Sequence, residues 1–299
     1  MARKFHIPVM LEEVLDYLNL SPGKVIVDAT AGTGGHSQAI LERITPGGRL
    51  IAIDRDEESL KVCRDRLKDF EASCDFIHGN FADLDVFLKR LGTKKIDGIL
   101  FDLGISSFQM EDADRGFSFQ KEGPLDMRMD RAARISAYDL VNNLNEEEIS
   151  ALLWNFGQER WHNRIAHHLV QEREKEPVST TRQLADIVAR SVPYRYRYRH
   201  QRIHPATRTF QAVRIAVNAE IEILDAAVRK GALSLKKGGR ICVISFHSLE
   251  DRAIKFAFRK LSSEEAVDII TAKPQVPRWL EVKDNAKSRS SKLRVAERL

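Results

Sequence analysis

An α/β fold, with a doubly wound and mostly parallel sheet of about seven strands interrupted by a helical insertion, is predicted by three features of the sequence. Short β-branched runs alternate with longer amphipathic runs from Lys24 to Asp102, the alternation stops after Gly104, and it resumes at Gly238. Buried parallel strands read as continuous apolar runs because helices cover both faces of their sheet.

The elements follow in order. "KVIVD" ends at Asp28 and feeds a helix from "GGHSQAILERI"; "RLIAID" ends at Asp54 before the helix "EESLKVCRDRLKDF". "CDFIHG", a short helix near Asp83 to Leu91, and "IDGILFDLG" complete this half. Residues 109–203 differ, with loop-like "EDADRGFSFQKEGPLDMRMD" and then helices that carry start signals: Asn145 with Glu148, and Thr180 with Gln183, each fit a capping box. "HPATRTFQAVRIAVNAEIEILDAAVRKGA" reads as one long amphipathic helix, followed by "GGRICVISF", a helix from Leu249 to Leu261, "AVDIITA" and "KLRVAER". The last two strands are close enough in sequence to pair antiparallel. A discontinuous domain of 1–108 and 204–299 around an insertion at 109–203 is therefore expected.

Composition limits the function classes. The 299 residues exceed the roughly 100–200 of one ordinary domain, which suits a domain carrying an insertion. Hydrophobic residues at 43% and charged ones at 30% describe a globular chain, and a net charge of +5 directs attention to polyanion partners. Cys63, Cys74 and Cys242 are odd in number and widely spaced, so neither a disulfide framework nor a zinc site is expected. The basic N-terminus has its apolar run cut by Glu12 and Glu13, and no later segment approaches the ~20 apolar residues of a membrane helix. A soluble, cytoplasmic protein without a metal is the expectation.

The turn "VDATAGTGGHS", Val27 to Ser37, raises the question of a cofactor. A dinucleotide fingerprint needs G-x-G-x-x-G, and here Gly32 and Gly34 are followed by Ser37 where the third glycine belongs. Asp54 stands where a ribose-binding acid is wanted. Charge decides between ligands, since a carboxylate such as Asp28 before the turn repels a pyrophosphate but attracts the sulfonium and amino group of S-adenosylmethionine. Asp102, ending the fourth strand, adds to that preference. A bare strand-to-helix turn needing glycine conformations is the plainer alternative.

Ligands of open α/β sheets bind beyond the carboxyl ends of the strands, so "FDLGISSFQ" is where transfer chemistry belongs. Asp102, with the carbonyls of Leu103 and Gly104, can hold an exocyclic amine with its lone pair aimed at a methyl group, and alignment then supplies most of the rate. Phe108, Phe117, Phe119 and Phe246 are candidate faces for an unstacked base, against the plainer reading of core phenylalanines. His36 and His247 are candidates too, although an isolated histidine is more often a structural hydrogen-bonding group. "PYRYRYRHQRIHPATR", Pro193 to Arg208, has five arginines and two histidines in sixteen residues. Guanidiniums for phosphates and tyrosine rings for bases suit single-stranded RNA, so Arg195, Arg197, Arg199 and Arg202 join Phe108 and His247 as candidate RNA contacts. "NAKSRSSKLR" is a second basic run.

"HIPVMLEEVLDYL", "DATAGTGGHS", "DLGISSFQ", "RGFSF", "GPLDMRMD", "HPATRTFQAVRIAVNAE", "GGRICVISFHSLEDR" and "SRSSKLRVAERL" together resemble the ribosomal RNA small-subunit methyltransferase H family, also called MraW, from His6 to Leu299. The resemblance implies a class I S-adenosylmethionine-dependent methyltransferase fold, Rossmann-like, with an inserted helical substrate-recognition domain. It also implies N4-methylation of a cytidine in the decoding centre of 16S rRNA, in the small ribosomal subunit. Cofactor contacts carry over onto Gly34, Gly35 and His36 in the turn, Asp54 at the ribose, Phe81 beside the adenine, and Asp102 with Gln109 near the transfer site; Asp102 is the catalytic candidate. The Tyr-Arg run has no assigned counterpart in that family. A homodimer is compatible with the sequence, and two rivals stay open: an NAD-dependent oxidoreductase, and a non-catalytic RNA-binding assembly factor.

Overall fold

The computed structural model describes residues 8–194 and 204–299. They form two compact units, 8–104 with 221–299, and 105–194 with 204–220. In the first unit the strands β1 (Val25–Asp28), β2 (Arg49–Asp54), β3 (Cys74–His78), β4 (Ile96–Asp102), β5 (Leu235–Ser245), β6 (Val267–Ile269) and β7 (Lys292–Arg298) make one sheet. Its order is β3-β2-β1-β4-β5-β7-β6, with β7 antiparallel to both neighbours. The expected sheet is therefore present, and its order reverses beside β1, where open α/β sheets hold ligands.

Period-two alternation sorts the strand residues onto two faces. Val27, Ile51, Ile53, Ile99, Phe101 and Val243 share one core with the helices Leu224–Ser234 and Ser248–Ser263. Ile26, Leu50, Ala52, Leu100 and Ile244 share the other with the helices Leu11–Tyr17, Gly35–Ile44 and Glu57–Arg66. Burial on both faces is why these strands read as unbroken apolar runs. Among the described residues no helix is long and apolar enough to cross a membrane.

The second unit is helical, built around Leu153, Ile165, Leu169, Leu184, Val188, Phe210 and Val213. Both expected capping boxes form, Asn145 with Glu148 before Glu146–Gly157 and Thr180 with Gln183 before Thr181–Ser191. The sequence places the unit boundaries at 108/109 and 203/204; by packing they fall at Gly104/Ile105 and Glu220/Ile221. The reason is that Ile105 and the segment with Ala206, Phe210 and Val213 bury their apolar faces in the helical core.

The expected long helix is two helices, Thr207–Asn218 and Leu224–Ser234, separated at Ala219, which sits in the left-handed region at φ 49°. Tertiary hydrogen bonds end the first one. Asn218 Oδ1 accepts from the Met129 amide at 2.8 Å, its Nδ2 donates to the Met127 carbonyl at 2.8 Å, and Arg214 grips Glu220 with two 2.8 Å bonds. Alanine, asparagine and glutamate are all tolerated in helices, so periodicity alone runs through this break.

Candidate active site

The site is assembled at the carboxyl ends of β1, β2 and β4. In register, Asp28 of β1 lies opposite Ala52 and Leu100, so Asp54 and Asp102 each project two residues beyond it on either side. The glycine turn bridges this gap: the Ala29 amide donates to the Leu100 carbonyl and the Ala31 amide to the Ile53 carbonyl, each at 2.9 Å. Gly32 and Gly34 have φ 52° and 83°, where a side chain is strained. A Cβ on Gly34 would also meet Cys63 Sγ at 2.9 Å, and one on Gly35 would meet Pro8 Cγ at 2.7 Å. Backbone alone can follow this path.

The acids then tie the turn in place. Asp54 Oδ2 accepts from the Gly32 amide and Oδ1 from the Asp56 amide, both at 2.7 Å. Asp28 accepts from the Ser37 hydroxyl at 2.7 Å and from the Thr30 amide at 3.2 Å. The Asp102 amide donates to Thr30 Oγ1 at 2.6 Å, which fixes the backbone from which its carboxylate springs. Ser37 and Thr30 thus brace the candidate site; the sequence marks Ser37 only as the residue in place of the third glycine and gives no sign of Thr30. The signal for Ser37 was its substitution for the third glycine: it supplies a hydroxyl that a dinucleotide fingerprint has no use for.

Electrostatically, the strand ends bring three acids together. Asp28 is 1% exposed, and burial raises its carboxyl to about 6 against the lowering effect of its hydrogen bonds. Burial likewise lifts Asp54 to about 6, and it raises Asp102 well above the ordinary range, helped by Asp28 and Glu250. No lysine or arginine is ion-paired to any of the three among the described residues. His36, buried on the first turn of its helix, is pushed down to about 4 by desolvation and stays neutral at pH 7. Its Nε2 lies 3.6 Å from Asp102 Oδ2, beyond hydrogen-bonding reach. Asp102 Oδ1 is buried without a partner among the described residues, and beyond a weak backbone contact to Val9 the His36 ring nitrogens have none. Buried polar groups normally find one, so orphans gathered here mark a place for a ligand. A cation with hydrogen-bonding groups fits this donor and acceptor set, and a pyrophosphate does not.

The remaining candidates are distributed as follows. Phe81, 8% exposed, stands edge-on to Phe101 with centroids 5.5 Å apart, on the turn that leaves β3. Phe246 packs against the core of the first unit and approaches Gly104. His247 caps the helix Ser248–Ser263, its Nδ1 accepting from the Glu250 amide at 3.3 Å. Gln109 is in the helical unit, buried, and closes a capping box with Ser106 on the helix Ser107–Glu111, which also carries Phe108. Phe117 is part of the helical core and Phe119 packs on Phe210 and His204. Arg195, Arg197, Arg199 and Arg202 lie outside the described residues.

The sequence profile of the MraW methylase family matches residues 3–299. The chain belongs to the MraW methylase family. Relatives described as ribosomal RNA small subunit methyltransferase H are 42% identical in Clostridium botulinum (strain 657 / Type Ba4) and 45% identical in Trichlorobacter lovleyi. Each alignment covers 98% of this chain, with 99% and 98% of the respective relative. A solved Clostridium thermocellum chain, described as a candidate rRNA-methylase, shares the fold at 12% identity and a TM-score of 0.50, over 99% of this chain and 100% of that one. The MraW methylases are S-adenosylmethionine-dependent methyltransferases.

Proposed function

We propose that the chain methylates the exocyclic N4 amine of a cytidine in the decoding centre of small-subunit rRNA, using S-adenosylmethionine. The observation that carries this reading is the set of three carboxyl groups at adjoining strand ends, Asp28 buried and Asp54 and Asp102 half-buried, with no lysine or arginine ion-paired to them among the described residues. Family membership and relatives named for ribosomal RNA support the substrate class.

When bound, the cofactor supplies a methyl carbon on a sulfonium, an electrophile whose leaving group departs uncharged. Asp54 accepts from the ribose hydroxyls with the lone pairs that the Gly32 and Asp56 amides leave over. Gly34 and Gly35 present bare backbone to the methionine portion, and Phe81 lines the adenine side. His36, uncharged, does not oppose a cation. The Asp102 carboxylate, with the carbonyls of Leu103 and Gly104, accepts hydrogens from the cytidine amine and turns its lone pair toward the methyl group; such positioning is the main catalytic contribution open to these side chains. Gln109 is assigned with Asp102 to the cofactor contacts, and Phe108, His247 and the arginines of the 195–202 run are assigned to contact with the RNA. A ribosomal substrate implies a cytoplasmic setting.

An NAD-dependent oxidoreductase is disfavoured by the same charges, and Ser37 is spent on Asp28. Nucleoside mass spectrometry of rRNA from cells with and without the protein tests the assignment. N4-methylcytidine is expected to disappear with the protein and to stay absent when Asp102→Ala is supplied instead; an unchanged nucleoside profile ends the proposal, and rescue by Asp102→Ala favours the non-catalytic assembly factor.

A further inference from the structure

The sheet-bearing unit exposes an apolar patch that neither its cores nor the cofactor pocket uses. Val276, Trp279 and Leu280 are 63%, 72% and 65% exposed within five residues, whereas large apolar side chains on a surface usually stand singly. The segment bearing them is held on both sides. Glu281 Oε1 accepts from the Met10 amide at 2.8 Å, Arg278 Nε pairs with Glu13 at 3.2 Å, and Gln275 exchanges two 2.9 Å backbone bonds with Leu293 of β7. The patch is therefore docked on the N-terminal helix Leu11–Tyr17, and Pro8, just before that helix, packs against Gly35 of the cofactor turn.

Charge decides what covers this patch. From 273 to 289 the exposed ionic side chains are Lys273, Arg278, Lys283, Lys287 and Arg289, against Asp284 alone. Lys283 Nζ sits 5.6 Å from the Trp279 ring centroid, a cation–π arrangement. A second copy docked about a two-fold axis would bring like charges together, which disfavours self-association here. A polyanion gains from these cations, Arg278 apart because Glu13 holds it, and a single strand also offers unstacked bases to an exposed indole.

We propose that Trp279, flanked by Val276 and Leu280 and by the Lys283 cation, is a stacking platform for single-stranded rRNA; this rests on the reading of the chain as an rRNA methyltransferase. Trp154 and Trp161 are the other tryptophans, so a W154F/W161F background makes indole fluorescence report Trp279 alone. Titration with single-stranded oligouridylate is expected to quench that signal. W279A is expected to bind the oligonucleotide about tenfold more weakly and W279Y within about twofold, since stacking tolerates exchange of one ring for another. K283A should lower the slope of log K against log salt by about 0.7. For W279A the KM for small subunits should rise, with kcat and S-adenosylmethionine affinity unchanged. Unquenched fluorescence, or a W279A affinity equal to the parent's, overturns the platform. So does a W279A phenotype confined to phosphatidylserine vesicle binding or to sedimentation as a dimer. The oligonucleotide assay does not need methyl transfer. RNA affinity that depends on Trp279 in a protein that methylates no cytidine would sink the function and leave the platform, and intact methylation with Trp279-independent binding would do the reverse.

Discussion

Two half-buried aspartates, one in each unit, have their acidity moved in opposite directions by their surroundings. Asp126, in the helical unit, is pushed up by burial, but Arg128 outweighs it with bonds of 2.7 and 2.9 Å and holds the carboxyl below its ordinary range. Asp54, at the end of β2, has two backbone amides and no paired cation, and burial holds it up at about 6. The helical unit satisfies its charges from within, as Arg214 with Glu220 does again. Among the described residues the sheet-bearing unit leaves Asp28, Asp54 and Asp102 without an ion-paired lysine or arginine. A buried ion pair is architecture; a buried acid without one is a demand for a cation.

The comparison can be broken most severely at Asp102. Replacement by alanine is expected to lower methyl transfer at saturating cofactor by about 100-fold or more, the order expected when a reacting group is misplaced by about 1 Å. Transfer of labelled methyl groups to small subunits from a strain lacking the activity measures this; near-parental turnover would remove Asp102 from the chemistry.

Asp54→Ala should act on affinity instead. Loss of a charge-assisted hydrogen bond, of about 1.5–3 kcal/mol, corresponds to a Kd for S-adenosylmethionine raised by roughly 10- to 150-fold in calorimetry. Asp126→Asn, on the other side of the comparison, should destabilise the fold by about 1–3 kcal/mol in urea unfolding and leave cofactor affinity where it was. If the two phenotypes were exchanged, the division between architecture and site would be wrong.

A pH experiment sharpens the same point with smaller effects. Asp28 and Asp54 rise from 3.8 to about 6 on folding, so the stability they contribute is fully present below pH 3.8 and is lost as pH rises through about 6. A bound cation reverses the upward shift. The thermal stabilisation given by S-adenosylmethionine should therefore grow between pH 5 and about 7, and binding near pH 6 should release protons, detectable by calorimetry in buffers of different ionisation enthalpy. No proton release at that pH would mean that the carboxyls do not face the ligand. Ser37→Ala is the mildest test: loss of one hydroxyl bond to Asp28 should cost about 1 kcal/mol of stability, with only a small loss of cofactor affinity.

The regular parts of the molecule were legible because their signals are local. β-branched runs such as "VIVD" and "RLIAID" and the Asn145 and Thr180 capping boxes carry their own physics, and all appear where expected. The turn glycines and the strand-end acids were legible for the same reason, because a positive φ and a terminal carboxylate are properties of single positions. The break at Ala219 was not, since it depends on Asn218 bonding to Met127 and Met129 about ninety positions away.

The sequence by itself determined the sheet, its helical interruption, the glycine turn and the identity of the acids, since these follow from periodicity, conformational preference and charge along a short stretch of chain. Only the tertiary structure decided that Asp28, Asp54 and Asp102 would be wholly or partly withdrawn from water without ion-paired cations among the described residues, that Ser37 and Thr30 would brace the turn and the Asp102 backbone, and that Trp279 would remain outside every core. Desolvation and pairing depend on which distant residues surround a group, and no window of sequence contains that information.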